Sequence, residues 1–149
     1  MRAKSSLASY VTEQLSFLGR ISNRAIFGGI GVFVDDRLLG IVINEQLYLH
    51  TSESNINDYL SRGMEQFKPY PNAFDLTTDH HRVPQDVIDD PEQLKEWGRR
   101  ALLSSIQAAK AKQLAGIERA RQLKRAKKEA ERAAQQEQQR QKQNKKRSP

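Results

Sequence analysis

The residues best suited to a binding role are five cations near the C-terminus, Arg121, Lys124, Arg125, Lys128 and Arg132. They follow one another at offsets of 3, 4, 7 and 11 residues from Arg121, so a helix would place all five on one face. Such a basic stripe can follow a phosphate backbone. Because no aromatic residue interleaves it, we expect binding without base stacking or sequence preference. A solubilising extension and a surface for acidic proteins are the alternative interpretations.

Three glycines lie in the run Phe27-Gly28-Gly29-Ile30-Gly31, where backbone N–H groups can approach an anion closely. No Gly-Lys-Ser or Gly-Lys-Thr follows the run, and no helix is predicted to begin there. Neither a P-loop nor a dinucleotide-binding fingerprint is therefore satisfied. We expect a kink or bulge between strands, with phosphate binding as the minor alternative.

His80 and His81 follow Asp79 and supply imidazole and carboxylate groups in one segment. Adjacent side chains of an extended segment point to opposite faces, so we do not expect them to share a metal ion. Neither a serine nucleophile elbow nor a cysteine accompanies the histidines. The sequence therefore predicts no catalytic site, no metal site and no cofactor, and a binding or regulatory protein rather than an enzyme.

Charge and apolar residues divide the chain near Ile106. Residues 107–149 contain 14 Lys and Arg against 4 Asp and Glu, whereas residues 1–106 contain 11 against 14. Aromatic and β-branched residues are nearly absent after Ile106, so the core must lie upstream. We predict a domain over residues 1–106 and a basic tail over residues 107–149, helical at first and disordered from Gln135 to Pro149.

The sequence contains no cysteine, which fits a reducing compartment. Serines and Thr12 interrupt the apolar residues near the N-terminus, so neither a secretory signal nor a membrane-spanning stretch is predicted. We therefore expect a cytoplasmic protein without membrane contact.

Helical patterns flank a β-rich centre. Helices are predicted from Ser5 or Ser6 to Leu18 and over residues 52–62, each followed by a glycine. The strongest helix start is Asp90-Pro91-Glu92-Gln93, with Asp90 as N-cap and Gln93 completing a capping box. The buried face of this last helix is predicted to comprise Leu94, Trp97, Ala101 and Leu102.

The segments between these helices have strand patterns. Residues 25–34 and 38–43 are predicted to form a hairpin, and residues 46–50 to add a third strand. Residues 65–70 and 73–78 suit an edge hairpin, because prolines divide them. The expected fold is α+β, an antiparallel sheet of about five strands flanked by helices, plus a C-terminal basic helical tail.

Several segments match one protein family in order and spacing. They are Asn23-Arg24-Ala25-Ile26-Phe27-Gly28-Gly29-Ile30-Gly31, Leu47-Tyr48-Leu49, Val83-Pro84 and Asp89-Asp90-Pro91-Glu92-Gln93-Leu94 with Trp97 and Ala101. Over about residues 12–105 the chain resembles the TfoX N-terminal domain of the Sxy/TfoX competence regulators. It departs from the family pattern at Ile26, where Met is usual, and at Arg37, where Gly is usual. The sequence after residue 106 does not resemble the family's second, C-terminal domain.

The resemblance implies an α+β fold similar to type III secretion chaperones. It also implies a bacterial regulator with protein partners, because better-studied members promote transcription of competence genes together with the cyclic AMP receptor protein. Arg24 and Phe27 of the matching motif are the candidate partner contacts, with a structural ion pair or a rim position as the alternative for Arg24. We expect a TfoX-like regulatory module whose tail binds nucleic acid nonspecifically. The alternative is a chaperone-like or scaffold module with a solubilising tail.

Overall fold

A five-stranded antiparallel sheet forms the centre of the protein. The computed structural model describes residues 6–70, 72 and 76–147. The strands are β1 (Ile21–Ile26), β2 (Gly29–Val34), β3 (Arg37–Ile43), β4 (Gln46–His50) and β5 (His80–Arg82). Each strand pairs with the next one along the chain, giving the order β1-β2-β3-β4-β5. The predicted α+β fold with an antiparallel sheet of about five strands is confirmed.

Four α-helices accompany the sheet in the part of the chain that the structure describes. They are α1 (Ser6–Leu15), which continues into a 3₁₀ turn over Ser16–Leu18, α2 (Ile56–Leu60), α3 (Gln85–Asp89) and α4 (Pro91–Arg147). The first and last helices begin where the apolar spacing and the cap predict. Helix α2 is shorter than the predicted segment, and α3 was not predicted.

Three two-residue turns connect the first four strands. Both residues of each turn have positive φ: Phe27 (53°) and Gly28 (79°), Asp35 (47°) and Asp36 (68°), and Asn44 (52°) and Glu45 (57°). This backbone twist matches the twist of paired strands, as in type I′ turns. The kink or bulge predicted for the glycine run is therefore wrong, because the chain reverses completely there and residues 25–34 belong to two strands.

Strand β5 lies where the sequence predicted no strand. Its outer side is covered by residues 65–67: the N–H of Phe67 donates to the carbonyl of His80 (2.8 Å) and the N–H of Arg82 donates to the carbonyl of Glu65 (2.9 Å). The predicted edge hairpin is thus wrong for residues 65–70, where only Gln66 forms an isolated bridge, to His81. Residues 73–75 of its second half lie outside the described residues.

One face of the sheet packs against the helices and forms the main core. Helix α4 enters this core through its first turns, where the carboxylate of Asp90 accepts a hydrogen bond from the N–H of Glu92 (3.1 Å) and the Gln93 amide donates to the same carboxylate (3.0 Å). Trp97 and Leu102 are only partly buried. The largest fully buried side chains of the core are Val11, Leu15, Val32, Val34, Leu39, Val42, Leu47, Leu49, Tyr59, Val83 and Leu94.

The chain divides into two compact units, Met1–Ala108 and Ala109–Pro149. Every described residue of the second unit is exposed, and α4 continues to Arg147. The predicted disorder from Gln135 is therefore corrected as far as Arg147, since alanine, glutamine, glutamate and lysine all favour the helix. Within the described ranges no helix is long and apolar enough to cross a membrane.

Candidate partner surface and basic helix

The face of the sheet opposite the main core has an apolar cluster of its own. Ile41 and Val42 are adjacent in β3 and point to opposite faces, and only Val42 joins the main core. We call the opposite side the second face. Its buried residues are Ile41, Tyr48 and Phe67, with Phe27, Leu38 and Ile43 partly buried against them.

Phe27 lies in the turn between β1 and β2, at the rim of the second face. Its ring centroid is 5.8 Å from that of Phe67 and 6.4 Å from that of Tyr70, which is 54% exposed. A bulky side chain at a φ of 53° is unusual, because the left-handed region costs a non-glycine residue roughly 1 kcal/mol. An aromatic residue therefore occupies a turn position at which asparagine is preferred.

Arg24 lies in β1, and its side chain contacts Phe33 and Asp36 on the second face. Its guanidinium carbon is 4.3 Å from the centroid of the Phe33 ring, and its Nη2 donates to a carboxylate oxygen of Asp36 at 2.7 Å. Gly31, the partner of Arg24 in the strand register, leaves room for this ring, since a β-carbon there would lie 2.8 Å from Phe33 Cε1. The Arg24 side chain is 52% exposed.

The two predicted partner contacts therefore have separate surroundings. Arg24 contacts Phe33 and Asp36, whereas Phe27 contacts Phe67 and Tyr70. Sequence reasoning had identified none of these neighbours as part of a site. For Phe67 the sequence offered no signal, because its position is fixed by backbone bonds to β5.

The five cations of the basic stripe all lie on α4 and are exposed. Among the described residues none of the five forms an ion pair, whereas Arg140 on the same helix pairs with Glu137. At 3.6 residues per turn the stripe occupies an arc of about 100°. Two other cations, Lys112 and Arg119, fall on the opposite side of the helix, and Lys127 flanks the stripe next to Lys124.

All three histidines of the chain lie near one another at β4 and β5. His50 Nδ1 is 2.9 Å from Ser104 Oγ, His80 Nδ1 is 2.9 Å from Thr78 Oγ1, and the rings of His50 and His80 are 5.3 Å apart. Burial lowers the pKa of all three, and together with the positive charges of the other two histidines it lowers the pKa of His80 to about 3.

The pair of Ser104 and His50 does not form an accessible nucleophilic site. Ser104 is fully buried, so its hydroxyl cannot meet a substrate. In the described part of the chain no three His, Cys, Asp or Glu residues are grouped so that they could hold a metal ion. His80 and His81 are buried and His50 is partly buried, and each has a hydroxyl partner, which for His81 is Thr51 Oγ1 at 2.8 Å from its Nδ1.

The comparisons with known proteins cover the sheet domain. The family model of the TfoX N-terminal domain matches residues 13–105. The DNA transformation protein TfoX1 of Aliivibrio fischeri is 27% identical over 89 residues, a match that covers 55% of this chain and 43% of that protein. The chain thus matches less than half the length of this relative. Arg24 and Phe27 lie within the family match, and the basic stripe lies outside it.

Proposed function

This chain belongs to the TfoX N-terminal domain family, and from that membership we propose that it is a competence-related regulator that acts by binding in the cytoplasm. In this proposal the sheet domain contacts a protein partner. The basic stripe on α4 holds the protein on nucleic acid without reading its sequence. The name of the Aliivibrio fischeri relative, DNA transformation protein TfoX1, supports this class of process.

The observation behind the nucleic-acid role is the group of five exposed, unpaired cations within one arc of α4. Because none of the five is held in an ion pair with a described residue, their side chains can contact phosphates without breaking one. Each phosphate contact releases condensed counterions, which favours association at low salt. A merely solubilising tail needs charge but has no need for it to lie on one face.

Salt-dependent binding to two duplexes of unrelated sequence tests this role. For the full-length protein we expect the logarithm of the association constant to fall with log salt. The slope should be about −0.9 per phosphate contact, or about −4 to −5 in total. Replacing Lys124, Arg125 and Lys128 with glutamine should reduce the slope by about 2 to 3, equally for both duplexes. The effect on stability of the sheet domain should be negligible.

The control replaces Lys112 and Arg119 with glutamine. It removes two charges from the opposite side of the helix, so the slope should change by less than about 1. Equal losses per removed charge in both variants would show that only net charge matters. Absence of binding at about 50 mM salt would end the nucleic-acid proposal and favour the solubilising tail.

For the sheet domain we propose that the rim of the second face around Phe27 and Arg24 is the partner surface. Phe27 supports this choice, since a strained backbone that displays an aromatic ring is typical of functional positions. By family resemblance the first partner to test is the cyclic AMP receptor protein. Both the contacts made by Phe27 and Arg24 and the identity of the partner belong to the proposal.

Phe27→Asn separates binding from folding. Asparagine before Gly28 suits the type I′ turn, so relief of strain should offset the lost ring contacts and leave stability within about 1 kcal/mol. Binding to purified cyclic AMP receptor protein, measured by calorimetry, should fall at least tenfold. Phe17→Asn is the control, because Phe17 is 55% exposed and lies outside this face. Unchanged binding by Phe27→Asn would contradict the assignment of this surface.

A further inference from the structure

The two outer strands of the sheet differ in whether their outer backbone groups are paired. The outer side of β5 is bonded to the backbone of residues 65–67. Strand β1 is the other outer strand, and its central residues Asn23, Arg24 and Ala25 are exposed. An outer strand with unpaired N–H and C=O groups is a template for another extended chain. The sheet therefore has one covered edge and one open edge.

The register identifies the open backbone groups. Ile26 and Gly29 flank a two-residue turn, so they form a hydrogen-bonded pair, and such pairs alternate along the ladder. Ser22, Arg24 and Ile26 consequently bond inward to β2. The bond from the N–H of Asp35 to the carbonyl of Arg20 continues this phase. The outward residues are Ile21, Asn23 and Ala25, and no described residue bonds to their backbone groups.

The usual protections of an edge strand are missing from β1. The strand contains no proline, and its pairing with β2 runs from Ile21 to Ile26 without a bulge. Its one charged residue, Arg24, is bound over Phe33 and to Asp36 on the second face, so its charge is held away from the edge. The backbone groups of this edge are thus open, while the side chain of Asn23 accepts a hydrogen bond from Thr12 Oγ1 of α1 (3.3 Å).

We propose that β1 pairs with β1 of a second copy of this chain, antiparallel and centred on Asn23, to form a two-fold symmetric dimer with a continuous sheet. In this register Asn23 faces the partner's Asn23 and Ile21 faces the partner's Ala25, which gives about six N–H···O bonds. Arg24 faces the partner's Ser22, so the two guanidinium groups are not opposed. A register centred on Arg24 would place these like charges directly opposite each other.

Self-pairing is favoured over capture of another peptide because this strand complements itself. In the symmetric register the residues with free backbone groups face each other across the two copies. Ile21 faces Ala25, so both side chains are apolar, and Asn23 faces Asn23. Pairing through one strand buries little surface, so the dimer should dissociate on dilution. The proposal does not rest on the nucleic-acid or partner proposals, and it shares one residue, Arg24 of β1, with the proposed partner surface.

Sedimentation velocity over a concentration series, combined with amide hydrogen exchange, tests the proposal on the full chain. We expect the mass to double as concentration rises. The amides of Ile21, Asn23 and Ala25 should gain protection with concentration, while the amide of Ser22 stays protected throughout. This measurement requires no variant. A mass that stays monomeric, or a dimer in which these three amides remain unprotected, would overturn the proposal.

Two substitutions at Asn23 separate the contribution of its backbone N–H to dimerisation from that of its side chain. Asn23→Pro removes an outward N–H that β2 does not use, so it should abolish the dimer and retain the protection of Ser22. Asn23→Ala keeps the N–H and should still dimerise. Persistence of the dimer in a folded Asn23→Pro variant would contradict the proposed edge pairing.

Discussion

The side chain of Leu15 in α1 occupies the space beside the bare Cα of Gly98 in α4: a β-carbon at Gly98 would lie 2.4 Å from Leu15 Cδ2. Both residues are buried, so α1 and α4 approach closely because position 98 has no side chain. We predict that Gly98→Ala destabilises the domain, since overpacking costs about 1 to 3 kcal/mol and exceeds the gain in helix propensity of about 1 kcal/mol.

Urea denaturation measures the effect of Gly98→Ala. The control is Gly116→Ala on the same helix, where an added β-carbon meets no atom within 4 Å. That variant should gain helicity by circular dichroism without cost to the domain. A Gly98→Ala protein as stable as the parent would show that Leu15 can move aside.

The Trp97 indole lies edge-on to the Tyr59 ring, with centroids 4.8 Å apart, and the Arg62 guanidinium lies 5.7 Å from the indole. Because Trp97 is only partly buried, we predict a loss of about 2 to 3 kcal/mol for Trp97→Ala, below that of a fully buried tryptophan. Urea unfolding followed by far-ultraviolet circular dichroism tests this. Trp97→Phe keeps a ring against Tyr59 and should lose less. A loss below about 1 kcal/mol would contradict a packing role.

Stability should fall in mild acid because of His80. Its pKa is about 3 in the folded protein, below the ordinary value of 6.5, so the unfolded chain binds the extra proton between these two pH values. The contribution is full above pH 6.5 and declines as pH falls toward 3, with a loss of about 2 kcal/mol at pH 5. His50 and His81, whose pKa values burial also lowers, act in the same direction.

Urea midpoints at pH 7 and pH 5 measure this dependence. Glu96, whose pKa the hydrogen bonds of Arg99 and Arg100 lower to about 2, affects stability only at lower pH, so it does not interfere. His80→Phe should flatten the difference between the two pH values, whatever its stability at pH 7. Equal stability of the parent protein at both values would contradict the prediction.

The sheet domain should fold without the basic tail. The last buried residues of α4 are Ser104 and Ser105, and the first compact unit ends at Ala108. We predict that a chain ending at Ala108 keeps a cooperative urea transition with an unchanged midpoint. A chain ending at Arg100 loses Ala101 and the contact between Ser104 and His50, and it should be much less stable. Loss of cooperativity in the longer chain would refute the predicted division near Ile106.

The elements that sequence reasoning found are those with local causes. The start of α4 follows from the cap at Asp90, and β4 follows from its alternation of apolar residues. Strand β1 was missed because its exposed centre, Asn23 to Ala25, has no apolar period. The turn at Phe27 was missed because an aromatic residue rarely adopts positive φ.

Other features depend on contacts between distant residues. Strand β5 contains two histidines and an arginine, and only its pairing with β4 makes it a strand. The opposite orientation of His80 and His81 follows from the expected alternation, but the approach of His50 depends on the register of β4 with β5. The basic stripe was predictable as a helical face because its spacing is local. Only the structure shows that none of its five cations forms an ion pair with a described residue.

The order of strands in the sheet, identical to their order in the chain, has a consequence for folding. Strands β1 to β4 meet through two-residue turns, so each pairing closes a short loop and the contact order of this region is low. During synthesis these hairpins can form as soon as they leave the ribosome. Helix α4 supplies Leu94 and Ala101 to the core later. Until the segment around Ala101 has emerged, the apolar face of the nascent sheet is therefore covered only in part, by α1 and the short helices α2 and α3.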